Sequence, residues 1–402
     1  MTPRPLPYGR QCIEEDDVQA VTDALRGDWL TQGPGVARFE EALAERCGAP
    51  YAVAVASGTA ALHLSSMVAG VDTQNGGITS AMTFVASANG IRYSGGVAAL
   101  ADIDPDTAIV TAPTLSVAAD ELQKQGIRAR VLVPVDYAGA VADLPAIADL
   151  ARRLGARVIE DAAHSLGATY RHEGEVYRAG SCTHSDFAIL SFHPVKHLTT
   201  IEGGAILTRD EGAYRQLLEL RSHGITRDPA RMSKNDGPWY QEQTAMGYHY
   251  RLGDVPCALG LSQLKKLDRF LSRRRALAAR YDAGLGDAAL RATLEPLPVR
   301  HGVSSAYHLY VLRTRARPGE GLSALADRRR ALYHRLLAAE IYTQVHYVPV
   351  HHHPVHHDAP RGGSLSAAEH HYSRCLSLPL YPDMRDEDVD RVLEVLAEAG
   401  AS

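Results

Sequence analysis

The chain of 402 residues has little of what marks several other protein classes. Its five cysteines, Cys12, Cys47, Cys182, Cys257 and Cys375, are scattered and form no CxxC pair. This spacing argues against a disulfide framework or a zinc site and is typical of reduced thiols in a cytoplasmic protein. No apolar run approaches the roughly 20 residues of a membrane span. The opening residues, MTPRPLPYGRQ, lack the apolar centre of a signal peptide, so we expect a cytoplasmic location.

Excess positive charge and the dinucleotide-binding glycine motif are also missing. The net charge is −5, and no strong basic run offsets it, so nucleic acid is not an expected partner. No GxGxxG motif follows a predicted strand, which argues against a nicotinamide site. The run HHHPVHH, residues 351–357, has no helical i, i+4 spacing and is broken by Pro354. We expect a solvated loop there, and no metal.

What the sequence does contain is a regular alternation of strand and helix patterns. Strands are predicted at residues 51–56, 78–80, 97–101, 129–135 and 157–161, and helices at 60–69, 84–93 and 144–154. This pattern predicts an α/β fold whose large sheet is mostly parallel. A long helix over 256–281 then leads to a smaller α+β unit. Its predicted elements are strands 307–313 and 343–348 and helices 322–340, 367–374 and 386–398.

Lys196 is the most informative single residue. It stands between two apolar runs that predict buried strands, 186–191 and 205–208, in the stretch SFHPVKHLTTIEGG. A lysine held between core strands is costly, because desolvation disfavours the ammonium form. A lysine with a lowered pKa is the usual partner of a carbonyl group in a Schiff base. The alternative is an ordinary surface lysine, and this stretch alone does not decide between them.

Two further stretches supply what such a lysine needs. Ser57, Gly58 and Thr59 join a predicted strand to a helix, where backbone N–H groups and the helix dipole favour an anion such as phosphate. The alternative is that Ser57 only caps the helix. Asp161 ends the strand RVIED. It either caps the next helix or binds a protonated ring nitrogen.

The three positions together match the three handles of pyridoxal 5′-phosphate, which are a phosphate, a pyridine nitrogen and an aldehyde. Ligands of such sheets bind at the carboxyl ends of the strands, so we expect Ser57, Asp161 and Lys196 to meet there. Phe84 follows another predicted strand and is placed to stack on the ring. Because independent parts agree, this interpretation is favoured over each local alternative.

Ordered motifs over essentially the whole chain carry a resemblance to a known family. They are WLTQGPGVARFEEALA, AVASGTAALHL, TFVASAN, DIDPDT, VIEDAAHSLGA, SFHPVKHLTTIEGG, LRSHG, YRLGDVPCALGLSQL, AYHLYVLR, QVHYVPVH and LSLPLYP. With these the chain resembles the DegT/DnrJ/EryC1/StrS family of sugar aminotransferases, which use pyridoxal phosphate and have the aspartate aminotransferase fold, fold type I. The resemblance implies a large cofactor-binding domain, residues 12–255, and a small α+β C-terminal domain, 256–402. It also implies that the N-terminal segment, residues 1–11, lies near the active site.

The resemblance also implies roles for individual residues. Lys196 would bind the cofactor's aldehyde and later move a proton, and Asp161 would bind the ring nitrogen. The family commonly has an asparagine where this chain has His249, and in relatives it reaches the cofactor phosphate of the neighbouring subunit. A homodimer with shared active sites is therefore implied. The cofactor-binding residues implied in this way are Gly58, Thr59, Phe84, Asp161, His164, Ser191, Lys196 and His249.

One branch of the family is more similar than the others. The run DYAG at 136–139, together with ALGLSQLKK and QVHY, resembles the aminotransferases of pseudaminic acid synthesis. This implies transfer of the amino group of L-glutamate to C4 of a UDP-linked 4-keto-6-deoxy-N-acetylhexosamine. The substrate-binding residues implied are Tyr8, Asp28, Trp29, Leu30, Thr31, Gln344, Val345, His346 and Tyr347.

Other functions remain open at this point. A different nucleotide-linked keto sugar, carrying dTDP or GDP, is the nearest alternative. A deoxysugar 3-dehydratase of the same family would have a histidine in place of Lys196. A regulatory homologue that binds the cofactor without turnover is the alternative from another class, and the presence of Lys196 and Asp161 argues against it.

Overall fold

A computed structural model describes residues 4–400 of the chain. Its helices are α1 Glu15–Arg26, α2 Pro34–Cys47, α3 Gly58–Val68, α4 Ala86–Tyr93, α5 Ala112–Lys124, α6 Leu144–Leu154, α7 Glu211–Leu220, α8 Asp254–Gly284, α9 Ala288–Thr293, α10 Leu322–Ala338, α11 Ser366–Arg374 and α12 Asp386–Gly400. Residues 1–3 of the predicted N-terminal segment 1–11 lie outside the described residues. The same holds for residues 401–402 of the predicted C-terminal domain 256–402.

The strands form one large sheet and three small ones. They are β1 Tyr51–Val55, β2 Asn75–Ser80, β3 Val97–Ala101, β4 Arg128–Val133, β5 Arg157–Asp161, β6 Thr169–His172, β7 Glu175–Arg178, β8 Phe187–Ser191, β9 Gly204–Thr208, β10 Ile225–Thr226, β11 Glu242–Gln243, β12 Leu294–Pro296, β13 Val303–Ser304, β14 Tyr310–Thr314 and β15 Cys375–Leu378.

The large sheet has seven strands in the order β1-β9-β8-β5-β4-β2-β3. Strand β9 is antiparallel to both of its neighbours, and the other pairs in the sheet are parallel. The α/β class with a mostly parallel large sheet is therefore confirmed. Six strands consequently end at one edge, where ligands of such sheets bind.

Local sequence signals explain where the helices next to the strands begin and end. The apolar run YAVAV forms β1, and Ser57 then caps α3, its Oγ accepting a hydrogen bond from the N–H of Ala60 at 3.1 Å. Helix α2 ends at Gly48, whose φ of 77° is the left-handed conformation that glycine adopts at low cost. Helix α6 ends in the same way at Gly155.

Two buried hydrophobic clusters share the long helix α8. The larger cluster surrounds the seven-stranded sheet and includes Leu267 and Leu271 of α8. The smaller one includes Leu277 and Tyr281 of the same helix, together with residues of β14, β15, α10 and α12. Leu6 belongs to the smaller cluster, so part of the N-terminal segment packs beside it. The domain division at residue 255 stays a prediction.

Several predicted elements differ in the structure. Residues 343–348 form no strand of a sheet; Gln344 pairs with Ser377 in an isolated bridge, and the segment turns toward the large sheet instead. The helix predicted over 84–93 begins only at Ala86. The expected solvated loop at 351–357 is wrong for His351 and His356, which are buried within two short 3-10 turns. No helix in residues 4–400 is long and apolar enough to cross a membrane.

Candidate active site

A cavity of about 600 Å³ opens where the parallel strands end. Its wall combines the start of α3, the residues after β2, the end of β5, the turn between β8 and β9, and the segment that follows α10. The predicted site residues that line it are Tyr8, Gly58, Thr59, Phe84, Asp161, His164, Ser191, Lys196, Gln344, Val345, His346 and Tyr347. A single cavity therefore brings together residues that are far apart in the sequence, from Tyr8 to Tyr347.

Lys196 lies in the turn that joins β8 to the antiparallel strand β9. The turn is held by its own backbone, since the Lys196 N–H donates to the carbonyl of His193 at 2.9 Å. The side chain is half-buried because its open side faces the cavity. Desolvation by the surrounding protein lowers the pKa of its amine to about 8, although the carboxylate of Asp161 acts in the opposite direction. At neutral pH a useful fraction of this amine is uncharged and nucleophilic.

The start of α3 lies in a recess formed by close backbone packing, and its chemistry suits an anion. Gly58 and Thr59 are the first helical residues, and the N–H groups of a first turn have no carbonyl partner within their helix. A Cβ on Gly58 would lie 3.1 Å from the Cβ of Ser191. A Cβ on Gly204 would lie 2.5 Å from the backbone carbon of Ser57. Glycine at both positions therefore lets β8, β9 and the helix start converge around a small polar recess.

Asp161 is 5% exposed at the end of β5. Its Oδ2 accepts a hydrogen bond from Ser87 Oγ at 2.7 Å, and its Oδ1 accepts one from the N–H of Ala163 at 3.3 Å. Burial raises the pKa of the carboxyl, whereas these two hydrogen bonds and the charge of Lys196 lower it. A buried carboxylate that has little positive charge around it is stabilised by a cationic partner. A protonated ring nitrogen is such a partner.

A group of buried histidines lies beside Asp161. The rings of His164 and His308 are 4.2 Å apart between centroids, and Tyr347 Oη lies 3.0 Å from His164 Nε2. Burial lowers the pKa of both histidines well below the usual range, and the positive charge of Lys196 lowers it further. Both rings are therefore neutral at neutral pH. Nδ1 of His164 is buried without a hydrogen-bond partner among residues 4–400, so it is available to a bound group.

The segment after α10 forms the opposite wall, and the large sheet holds it in place. Tyr137 Oη donates a hydrogen bond to the carbonyl oxygen of His346 at 2.5 Å. Desolvation lowers the pKa of His346 to about 3, so this ring is also neutral. The ring centroids of Phe84 and Tyr347 are 6.1 Å apart across the cavity. Phe84 is 58% exposed, which leaves its ring free to stack on a ligand.

Five predicted site residues lie outside this cavity. Asp28, Trp29, Leu30 and Thr31 are exposed on the loop between α1 and α2. His249 is exposed, and its ring stacks on that of His223 with 5.2 Å between centroids. Their predicted roles stay predictions, and a single chain does not bring them to the cavity.

Sequence reasoning missed two residues that the structure places in the site. Ser87 follows Phe84 by three positions, and this helical spacing could have pointed to a shared direction near the start of α4. His308 stands in the motif AYHLYVLR, but no local pattern shows that it lies under His164. Their sequence separation of 144 residues means that only the tertiary fold brings them together.

The cavity, its amine and its buried carboxylate define a site for pyridoxal 5′-phosphate, and comparisons with known proteins agree. The "Spore coat polysaccharide biosynthesis protein SpsC" of Bacillus subtilis is 35% identical over 401 residues, covering 98% of this chain and 96% of that protein. A putative sugar aminotransferase, Spr1654 of Streptococcus pneumoniae, solved in its PLP form, superposes with a TM-score of 0.86 at 27% identity, covering 99% of both chains. The Helicobacter pylori aminotransferase PseC, involved in pseudaminic acid biosynthesis, superposes with a TM-score of 0.84 at 26% identity, covering 99% of this chain and 100% of that one.

These findings identify a pyridoxal phosphate-dependent aminotransferase fold. Residues 11–397 match the DegT/DnrJ/EryC1/StrS aminotransferase family, and the chain belongs to that family. The predicted fold and cofactor are thereby confirmed, since Spr1654 has been solved with both the PLP and PMP forms of the cofactor.

The residues present fit this cofactor. The recess at Gly58 and Thr59 suits its phosphate, and the carboxylate of Asp161 suits its ring nitrogen. Nζ of Lys196 is the amine that can hold its aldehyde, and the unpartnered Nδ1 of His164 can contact its polar substituents.

Proposed function

We propose that this aminotransferase transfers the amino group of L-glutamate to C4 of a UDP-linked 4-keto-6-deoxy-N-acetylhexosamine. The observation that carries the transfer step is the lowered pKa of Lys196 in a cavity that it shares with Asp161. When bound, the cofactor supplies an electron-withdrawing ring that stabilises negative charge at the donor's α-carbon. The residues of the chain do the rest of the work.

Lys196 acts as the proton carrier. Nζ accepts the proton from the α-carbon of glutamate in the first half of the reaction and delivers one to C4 of the sugar in the second. A lowered pKa suits both tasks, because a base poised near the working pH both takes up and releases a proton readily. Asp161, whose ionised form is favoured by the hydrogen bonds from Ser87 and Ala163, holds the ring nitrogen in its cationic form.

The substrate is proposed from the relatives and from the shape of the site. SpsC is a spore coat polysaccharide biosynthesis protein, and PseC is an aminotransferase of an amino-sugar pathway. The cavity's outer wall offers Tyr8, Gln344 and His346, which are polar groups suited to a sugar and its linked diphosphate. A cavity of about 600 Å³ is in the range of sites for small molecules of this size.

We further propose a cytoplasmic homodimer in which each subunit completes the other's site. Helix α1 and the loop after it expose Val18, Leu25, Trp29 and Leu30, and Met246 is 80% exposed near His249. Apolar side chains concentrated beside polar site residues are typical of a protein interface. A neighbouring subunit is the source that would bring the loop of residues 28–31 and His249 to a cavity.

The test is a panel of 4-keto sugars linked to UDP, dTDP or GDP, each incubated with L-glutamate, with 2-oxoglutarate as the readout. We expect turnover with the UDP-linked N-acetylhexosamine and its loss in Lys196→Ala and Lys196→Arg. Preference for a dTDP- or GDP-linked sugar would show that the proposed substrate is wrong but that the proposed transamination is right. Cofactor binding without turnover of any of these sugars would favour a regulatory protein.

A further inference from the structure

A compact cluster of possible metal ligands lies outside the active-site cavity. His351 and His352 belong to the 3-10 turn Val350–His352, and Glu369 lies in α11. Nε2 of each imidazole is 2.6 Å from Oε1 of Glu369. One ligand atom from each of the three residues lies within 4.8 Å of the other two. The mechanism uses none of these side chains.

The backbone on both sides of the cluster is anchored independently. The N–H of Val350 donates to the carbonyl of Ala81, just beyond β2, at 2.9 Å. The start of α11 is held by Asp102, whose carboxylate accepts hydrogen bonds from the N–H groups of Ala367 and Ala368 at 3.0 and 2.9 Å. The three side chains therefore face one another because the fold places them so, and little ordering would be needed on binding.

We propose that His351, His352 and Glu369 form a binding site for one divalent transition-metal ion. Two imidazoles and one carboxylate are a donor set that zinc binds in proteins, with a fourth position left for water. Imidazole nitrogen also suits copper, nickel and cobalt, whereas magnesium and calcium prefer oxygen ligands alone. The site is therefore specific for the imidazole-preferring ions.

Only small movements separate the present geometry from coordination. Bonds of about 2.0–2.1 Å in a tetrahedral site place ligand atoms roughly 3.3 Å apart, slightly more than the 2.6 Å hydrogen bonds here. His351 is buried and fixed, but the side chains of His352 and Glu369 are 36% and 27% exposed. Rotation of these two opens the gap without disturbing the core.

The ring of His351 can accept a metal on one nitrogen without losing a protein contact on the other. Nδ1 of His351 is buried without a hydrogen-bond partner among residues 4–400, whereas Nε2 contacts Glu369. A metal that binds Nε2 would leave the proton of the ring on Nδ1, where no other contact has to be displaced.

A metal here would stiffen the wall of the active site. His353 immediately follows the cluster and lines the cavity, and Val348 precedes it on the same wall. Linking this turn to α11 would hold the wall segment against the large sheet, and the effect is structural, not catalytic. The inference does not depend on which sugar the enzyme aminates.

The experiment uses the untagged, full-length protein loaded with its cofactor, stripped of metals with a chelator and titrated with ZnCl₂ by calorimetry. The main variant is His352→Asn, because this side chain is partly exposed and its loss leaves the core intact. Glu369→Gln is the second variant. The matched control is His357→Asn, an exposed histidine of the same run that is not part of the cluster.

We expect one zinc per chain in the wild type and in His357→Asn, and a loss of affinity of at least about tenfold in His352→Asn and Glu369→Gln. Zinc should raise the thermal midpoint of the first two proteins and not of the other two. Absence of binding to the wild type would overturn the proposal. Equal affinity in all four proteins would also overturn it, because the ion would then lie at other histidines.

Discussion

Ser87 Oγ donates a 2.7 Å hydrogen bond to Oδ2 of Asp161, the carboxylate that we propose binds the cofactor's ring nitrogen. Ser87→Ala should raise the pKa of Asp161 further, because a bond that favours the ionised form is lost. The cofactor should then bind about tenfold more weakly, since hydrogen bonds to charged groups contribute roughly 1.5–3 kcal/mol. Absorbance titration of the apoprotein with pyridoxal phosphate measures this change.

Ser94→Ala is the matched control for that experiment. Ser94 lies at the other end of α4, and its hydroxyl donates to the carbonyl of Gly90 at 3.2 Å. We expect its affinity for the cofactor to be that of the wild type. If Ser87→Ala binds the cofactor as tightly as the wild type, the hydroxyl of Ser87 does not contribute to cofactor binding by Asp161.

The amine of Lys196 should titrate far below an ordinary lysine. Desolvation lowers its pKa from 10.5 to about 8, so its rate of acylation in the apoprotein should reach half of its maximum near pH 8. Mass spectrometry of a peptide containing Lys196 follows this rate, and Lys124 on the surface serves as an internal reference. Half-maximal reaction of Lys196 only near pH 10.5, the ordinary value for a lysine, would contradict the account.

The same pKa shift affects the free energy of unfolding. Burial of Lys196 lowers this free energy at neutral pH, whereas a lysine in an ion pair would raise it. Because the folded state lowers the pKa, the folded apoprotein binds fewer protons than the unfolded chain between pH 8 and 10.5, and this group's contribution to the free energy of unfolding rises with pH across that range. Below pH 8 the cost is fully present. Lys196→Met should therefore raise the free energy of unfolding at neutral pH, by on the order of 1–3 kcal/mol, while abolishing transamination.

Urea denaturation of the two apoproteins tests this prediction. Lys124→Met provides a control whose free energy of unfolding should not change appreciably, because the side chain is largely exposed. A Lys196→Met apoprotein that is less stable than the wild type at neutral pH would mean that the lysine is not strained by burial.

Tyr137 should be needed to hold the outer wall of the cavity. Tyr137→Phe removes the hydroxyl that bonds to the carbonyl of His346 and leaves that buried oxygen with a poorer partner. The free energy of unfolding should fall by about 1–3 kcal/mol. Tyr342→Phe, at an exposed position of the same wall segment, should leave it unchanged, and an equal effect of both substitutions would contradict this role.

Mixing two inactive variants tests whether active sites are shared. If His249 serves the neighbouring subunit, Lys196→Ala and His249→Ala would each be impaired alone, but a hybrid dimer would contain one site with both native residues. Random reassembly should restore about a quarter of wild-type activity, since half of the dimers are hybrids with one good site. No recovery after confirmed subunit exchange would place His249 outside the partner's site.

Much of the fold and the site followed from local patterns. Strands at 97–101 and 157–161 and the helix at 144–154 were predicted with the bounds that the structure has. Apolar runs and capping residues set these elements, and both signals are local. The recess at Gly58, the acid at Asp161 and the amine at Lys196 converge because parallel strands end at one edge.

What the sequence did not reveal depends on distant partners. The run TQVHYV at 343–348 looks like a strand, but its neighbours in space are Tyr137 and the cavity, and only Gln344 pairs with another strand. Val18 and Leu25 lie on the same side of α1, as on a helix face that packs against a core, yet both are exposed. Hydrophobic periodicity reports that a face will be covered and not whether the same chain covers it.

The most direct test of the central claim follows the nitrogen atom. The protein is incubated with L-[¹⁵N]glutamate and the UDP-linked 4-keto-6-deoxy-N-acetylhexosamine, and the product is examined by NMR for ¹⁵N at C4 of the sugar. The account predicts ¹⁵N at C4 with the wild type and none with Lys196→Ala. Labelled amino sugar formed by Lys196→Ala, or none formed by the cofactor-loaded wild type from any sugar of the UDP, dTDP and GDP panel, would contradict it.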